Sequence, residues 1–325
     1  MKKENFSMSK FIRDNIMYAI LILLCVFFAT QHKAFLTWSN MLNMLNQSSY
    51  QIIVGVGIGM LMISGGIDLS VGYQISLIGV VAGWLMQNTG IHWILVVLIS
   101  FALGILMSLF NGVIVVKMKA MPFIITLATS YIFQGISYTI TQTKTYKGFP
   151  DAFKWIGQGS IGPIPVAIFL MVVCVIAGSL ILNKTYFGRY IYGVGSNREA
   201  VQLAGVNTDR LRLIIYAVAG FFVALGAIAL IARTGSSASS MGPGTEFTII
   251  AGGVLGGIKM EGGGGRMSSI VVGVLILTVL TNGMQLMQLG VYPQYIVKGF
   301  VLVIAICFDS LESMSAIRRA KLVKD

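Results

Sequence analysis

Charge is scarce in this chain. Asp, Glu, Lys and Arg make up 10% of its 325 residues, where an ordinary soluble domain carries roughly 25%. So few charges cannot cover a soluble globule of this size, which excludes a soluble enzyme. A disordered chain is excluded too, because disorder needs low hydrophobicity and high charge. Negative charge is scarcer still, with 11 acids against 23 bases and a net charge of +12. Clustered carboxylates or histidines, the usual marks of an ion path through a membrane, are therefore few. The three cysteines, Cys25, Cys174 and Cys307, all sit inside apolar runs, so they read as packing residues and not as a disulfide or zinc framework. The two histidines, His32 and His92, lie far apart without a ligand neighbour at helical spacing. No metal site is expected.

Hydrophobicity is what the chain has in excess: 56% of residues are apolar or aromatic and the mean hydropathy is +0.84. This composition describes an all-α, polytopic transmembrane helical bundle in a single domain, 1–325. Apolar stretches recur at about 11–30, 47–64, 69–86, 92–116, 121–141, 163–182, 211–232, 245–257, 267–288 and 293–308. Most approach the ~20 residues that cross ~30 Å of hydrocarbon. The stretch Thr245–Gly257 is short, covering only ~20 Å at helical rise. It is expected either to extend into its flanks or to be a half-span buried in protein. The first stretch follows Lys2, Lys3, Lys10 and Arg13 without a small-x-small cleavage pattern, and is read as an uncleaved first span.

The positive charge fits short loops that orient the spans better than it fits nucleic acid, so no nucleic-acid partner is expected. With ten crossings and a cytoplasmic N-terminus, the basic residues segregate. The inner side takes the four N-terminal bases, Lys117, Lys119, Lys184, Arg189, Arg198, Arg210, Arg212, Lys259, Arg266, Arg318, Arg319, Lys321 and Lys324. The outer side takes only Lys33, Lys144, Lys147, Lys154 and Arg233. This asymmetry supports about ten spans with both ends inside, in a plasma membrane.

Two loops are long. The external one, Thr143–Gly162, carries Tyr146, Phe149, Phe153 and Trp155, and the cytoplasmic one runs over about 183–210. In the latter, Ser196 and Glu199 have capping-box spacing and Gly205 is a natural residue just past a helix end. A short helix, Asn197 to Ala204, is predicted between them, with Ala200, Leu203 and Ala204 on one face. Such a helix needs a surface to dock on. It either lies on lipid headgroups or plugs into a cytoplasmic partner. Its small Ala and Gly residues make a poor lipid anchor and favour the partner.

Several polar residues fall inside or between spans. Asp68 stands in Gly65-Gly66-Ile67-Asp68-Leu69-Ser70-Val71-Gly72. It reads as the N-cap of the third span, or as a solute or proton contact; the preceding Gly-Gly favours the cap. Glu246 reads as a favourable charge at a helix N-terminus. Lys298 lies in the last span, either snorkelling or paired inside. Asp309 and Glu312 read as solvated residues at the inner boundary. Gly252, Gly253, Gly256 and Gly257 have the small-residue spacing of close helix packing. Gly262–Gly265 lacks the Lys-Ser/Thr of a phosphate loop and is read as a flexible inner loop. Gln51, Gln74, Asn111, Gln134, Asn282, Gln285 and Gln288 are candidates for a path that suits an uncharged polar solute, with Phe123, Phe133 and Phe221 as ring-stacking candidates. For each residue alone, interhelical bonding or packing is the commoner role.

Four segments make the chain recognisable: GGIDLSVG at 65–72, GRYIYGVGSNREAVQLAGVN at 188–207, GPGTEFTIIAGGVLGGIKMEGGGGR at 242–266, and NGMQLMQLGVYPQYIVKGFVLVIAICFDS at 282–310. Over nearly its full length the chain resembles the permease subunits of bacterial ABC sugar importers of the ribose and galactoside class. These share a superfamily with branched-chain amino acid permeases, and the Ile-Asp-Leu-Ser pattern favours the sugar branch. The resemblance implies a permease dimer of identical or homologous chains, separate ABC ATPase subunits that use ATP and Mg, and an extracytoplasmic sugar-binding protein. It makes the short cytoplasmic helix a coupling helix, carried by Ser196, Asn197, Glu199, Ala200, Leu203, Ala204 and Gly205. The expected translocation path or gate comprises Asp68, Ser70, Asn111, Phe123, Gln134, Asn282 and Gln285. The chain itself is expected to hold no cofactor and to catalyse no reaction. An ion-gradient-driven transporter of a small polar solute is the rival reading. A membrane-embedded enzyme finds no cluster of acids, His or Arg to support it.

Overall fold

The computed structural model describes residues 8–304 and 307. Lys2, Lys3, Asp309, Glu312, Arg318, Arg319, Lys321 and Lys324, read above, lie outside the described residues. The described chain is almost entirely helical. The first five helices are α1 (Met8–Gln31), α2 (Trp38–Ile63), α3 (Val71–Asn88), α4 (Trp93–Lys117) and α5 (Pro122–Thr141). The short α6 (Asp151–Gln158), α7 (Val166–Lys184), α8 (Tyr186–Ser196) and α9 (Arg198–Leu203) follow. Then come α10 (Thr208–Thr234), α11 (Thr245–Leu255) and α12 (Met267–Leu286), and a final apolar helix, α13 (Val291–Ile304). Each of the ten apolar stretches falls on one of these helices. Five of them, α4, α5, α7, α10 and α12, are long and apolar enough to cross a membrane by themselves.

α10 and α2 form the centre. α10 is buried along most of its length, from Leu211 to Ala232, and α2 is buried from Ile52 to Ile63. The two run antiparallel, since Gly57 packs on Ala219 and Gly226 packs on Tyr50 and Val54. α4 packs on the other side of α10, where the backbones of Gly104 and Gly220 meet with no room for a Cβ on either. α11 and α12 approach in the same way at Gly252 and Gly273, and at Gly256 and Ser269, so the small-residue spacing read from the sequence is used for close packing. α7 has its apolar residues all round and is one-third buried, as a helix facing both protein and lipid would be.

The connections hold structure that was not foreseen. The external loop folds into α6, whose Phe153 is fully buried. Next to α6, strand β1 (Tyr146–Lys147) pairs antiparallel with β4 (Ser236–Ser237), and a small hairpin joins β2 (Ser160–Ile161) to β3 (Ile164–Pro165). On the other side, α8 occupies 11 residues of what was read as the 183–210 loop. Gly262–Gly265, read as flexible, is a packed loop: Gly263 donates its N–H to the Ile63 carbonyl at 2.7 Å, and Gly262, Gly263 and Gly265 all have φ between +72° and +133°.

Candidate functional site: a buried carboxylate network and an exposed cytoplasmic helix

Two helices begin inside the bundle. α11 has 11 residues and so rises only about 16 Å, which by itself is about half of the ~30 Å of hydrocarbon. Its first turn meets the first turn of α3. A Cβ on Gly72 would overlap the Glu246 carboxylate, and one on Gly242 would overlap the Gly72 carbonyl. Each helix N-terminus carries roughly half a positive charge from its aligned peptides. The two N-termini therefore converge where two carboxylates are buried, Asp68 at 0% and Glu246 at 2% exposure. Glu246 accepts the Gly244 N–H with both oxygens, at 3.1 and 3.0 Å. Among the described residues the ion pairs are Lys154–Asp151 and Arg198–Asp209, so helix ends and neutral donors balance the two buried acids.

Asp68 is the sink of a directional network. Its Oδ1 accepts from the Ser70 backbone N–H at 2.8 Å and the Ser70 hydroxyl at 2.6 Å. Its Oδ2 accepts from Gln74 Nε2 at 3.0 Å and Asn111 Nδ2 at 3.4 Å. Ser70 Oγ in turn accepts from Gln74 and Asn111, both at 2.8 Å, and Ser108 donates to Gln74 Oε1 at 2.9 Å. Every donor in the network leads toward the carboxylate, whose oxygens accept. From α5, Thr126 Oγ1 accepts the Leu69 N–H at 3.1 Å. The structural N-cap of α3 is Ser70, which caps with no side-chain bond of its own. Asp68 reaches past that cap and joins α3, α4 and the 64–70 segment. Tyr216 of α10 closes this side, its ring lying on Gly112.

The residues read as a path or gate do not come together. Asp68, Ser70 and Asn111 are all 0% exposed and share the network. Phe123 is 53% exposed on α5, and Gln134 is half-buried about three turns further along the same helix. Asn282 exchanges amide bonds with Asn40 at 2.9 and 3.0 Å, which ties α12 to α2, while Gln285 is exposed. Among the ring-stacking candidates, Phe221 stacks on Phe101 at 4.8 Å and Phe133 is buried. The sequence missed Gln74 as a partner of Asp68 and Ser108 as a partner of Gln74. Their signal was helical spacing: Ser70 to Gln74 is one turn, and so is Ser108 to Asn111.

At the cytoplasmic loop the predicted helix is present but shifted, at Arg198–Leu203. Its cap is Asn197, whose Oδ1 accepts the Ala200 N–H at 2.9 Å. Ser196 ends α8 instead, because α8 continues up to it. Gly205 has φ +85°, the left-handed residue expected after the helix. Arg198 clamps α9 to α10 through Asp209 at 2.5 Å and Thr208 at 3.3 Å, and Val201 packs on Gly193. What remains faces outward: Glu199, Ala200 and Ala204 are exposed, and Leu203 is 89% exposed. α8 is fixed to the bundle where Gly195 lies against the Ile63 carbonyl and the Gly263 N–H, with no room for a Cβ. Tyr192 adds a bond to the Gly265 carbonyl at 2.9 Å. Burial pushes its phenol above the usual range, which keeps the hydroxyl a donor.

A bundle of apolar helices with buried polar contacts inside, and one rigid helix presented at its surface, defines a polytopic membrane transport component. The chain belongs to the family described as branched-chain amino acid transport system / permease component, whose model matches residues 40–306. Among curated relatives, it is 33% identical to the galactose/methyl galactoside import permease protein MglC of Escherichia coli (strain K12) over 320 residues, covering 93% of this chain and 95% of the relative. It is 34% identical to the ribose import permease protein RbsC of Haemophilus influenzae over 316 residues, 95% of this chain and 98% of the relative. The ribose import permease protein RbsC of Bacillus subtilis (strain 168) is 34% identical over 296 residues, covering 90% and 91%. No solved structure matches the chain.

Proposed function

We propose that the chain is the membrane permease subunit of an ATP-driven importer for a mono- or small saccharide of the ribose or galactose type. The observation that carries this reading is the full-length likeness to ribose and galactoside import permeases, which reaches 95% of this chain. In this reading the chain crosses a bacterial inner membrane about ten times with both ends in the cytoplasm. It pairs with a second permease, identical or homologous, and an extracytoplasmic binding protein delivers the sugar. Separate ATPase subunits bind ATP and Mg, and this chain holds no cofactor.

The exposed face of α9, formed by Glu199, Ala200, Leu203 and Ala204, is the coupling surface that enters a groove on the ATPase. Ser196, Asn197 and Gly205 set its ends. The support is mechanical. α9 is clamped to α10 by Arg198, and α8 is seated on Ile63 and Gly263, so a push on α9 reaches two parts of the core. The 64–70 segment leads from that seat to Asp68. Asp68, Ser70 and Asn111 then act as part of the gate, holding the start of α3, while Phe123, Gln134, Asn282 and Gln285 are path candidates on other helices. Closure of the ATPases moves paired coupling helices together, the spans rock, and the path opens toward the binding protein. Hydrolysis resets it.

The test is uptake of radiolabelled D-ribose and D-galactose in cells co-expressing this chain with its ATPase and binding protein. Wild type is compared with the double variant Glu199→Arg, Leu203→Asp. The expected result is uptake that needs the ATPase and is lost in the variant at normal membrane abundance. Uptake that persists without any ATPase would move the assignment to the gradient-driven transporter, for which the buried Asp68 and Glu246 are the relevant observation.

A further inference from the structure

A second polar region lies on the outer half of α2. The first half of this helix is rich in polar side chains, with Asn43, Asn46, Gln47, Tyr50 and Gln51, whereas the half from Ile52 onward is apolar or glycine. α2 faces α10 through Tyr50, Val54 and Gly57. Asn46 and Gln47 lie one turn before Tyr50, on that same face. On α10, Arg233 follows Gly226 by seven residues, two turns or about 10.5 Å, on the face turned to α2. Because the helices are antiparallel, Arg233 comes level with the polar first half of α2, and it lies within electrostatic range of the Tyr50 hydroxyl.

This region is under-bonded. The Nε of Arg233 and the Oδ1 of Asn46 are both buried with no hydrogen-bond partner among the described residues. Tyr50 and Thr245 hydroxyls are at 3.5 Å and Gln51 donates to Tyr50 at 3.2 Å, both at the long end of the range. Asn46, Tyr50, Gln51 and Arg233 are half-buried, so they border open space. A cation, amides and hydroxyls with spare capacity match the hydroxyls of a neutral polyol, each of which donates and accepts.

We propose that Asn46, Tyr50, Gln51 and Arg233, backed by the buried Thr245, line a water-accessible crevice in the outer half of the bundle that contacts the hydroxyl groups of the transported saccharide. The saccharide part rests on the proposed function; the crevice does not. These residues, and not the Asp68 network, are the solute-contacting ones. Loose bonding suits the task, since a path must bind weakly enough to release.

The test has two arms. In a chain with Cys25, Cys174 and Cys307 changed to Ala, Gln51→Cys and Ser48→Cys are exposed in intact cells to a charged, membrane-impermeant methanethiosulfonate. Ser48 is fully buried on the same helix. Gln51→Cys should react at least about tenfold faster, because reactivity follows access. Equal rates would overturn the crevice. In the second arm, D-ribose and D-galactose uptake by the assembled transporter is compared for wild type, Asn46→Leu, Arg233→Gln and Arg233→Lys at matched membrane abundance. Loss of a hydrogen bond to a charged group predicts a fall of roughly tenfold for Arg233→Gln, with partial recovery in Arg233→Lys. Wild-type uptake in Arg233→Gln would overturn the saccharide contact. If wild type carries neither sugar, the saccharide reading fails while the labelling rates still decide the crevice.

Discussion

Two groups of polar side chains lie in one apolar bundle, and they differ in exposure and in how tightly they are bonded. Around Asp68, donors from α3, α4 and the 64–70 segment all end on one carboxylate, and Asp68, Ser70, Gln74, Ser108 and Asn111 are all 0% exposed; Asn111 Oδ1 and the nearby Tyr216 hydroxyl alone lack partners there among the described residues. Around Tyr50, the contacts are long, and buried atoms of Asn46 and Arg233 lack partners. A buried carboxylate filled by four donors fixes geometry, whereas half-exposed groups with long contacts leave capacity for a visitor. The first region therefore reads as a joint and the second as a surface for solute. Carboxylate, amide and hydroxyl groups inside a membrane protein do not by themselves mark a path.

Four predictions separate the two regions. The largest effect is expected at the joint. Asp68→Leu leaves the amides of Gln74 and Asn111 and the Ser70 N–H without their acceptor, at about 1–3 kcal/mol for each buried group. The variant should fail to accumulate in the membrane, measured by immunoblot. Normal abundance would break the comparison. Next is Gly195→Val. Its side chain would overlap the Ile63 carbonyl and the Gly263 N–H, so α8 must shift. Sugar-stimulated ATPase activity of the assembled complex should be lost even where the chain itself inserts. Ser108→Ala removes one bond at the edge of the network and should cost about 1 kcal/mol, read as a modest loss of thermal stability in detergent. The smallest effect on stability is expected for Tyr50→Phe, which gives up one bond of 3.5 Å and one of 3.2 Å. Melting within about 0.5 kcal/mol of wild type is expected, as for changes away from tightly packed features.

Much of this architecture was legible in the sequence, because hydrophobic runs and glycine spacing are local signals. All ten apolar stretches lie on helices within the described residues, Gly205 ends α9, and Gly252 and Gly256 pack closely. Tertiary contacts decided the rest. α8 was read as loop, and Gly188, Gly193 and Gly195 disfavour a helix by about 1 kcal/mol each. It is helical because those glycines let it lie against Leu182, Val201 and Ile63. That extension displaced the predicted cap from Ser196 to Asn197. The glycines at 262–265 look flexible by composition, yet their positive φ angles serve a packed turn against α2 and α8. The candidate site was legible residue by residue but not as a site. Asp68, Ser70 and Asn111 were singled out without knowing that Gln74 and Ser108 complete their bonding. Arg233 was counted only as an outer-loop charge, because nothing local shows that α2 passes beside it.

The measurement that tests the comparison most directly is a paired thermal melt of the purified chain, Asp68→Asn against Arg233→Gln. Asp68→Asn places an amide donor where four donors already point, whereas Arg233→Gln removes a cation with no acidic partner among the described residues. The account predicts a melting temperature lower by several degrees for Asp68→Asn, equivalent to a few kcal/mol, and little change for Arg233→Gln. Equal losses, or a larger loss for Arg233→Gln, would contradict the assignment of one region as joint and the other as solute surface.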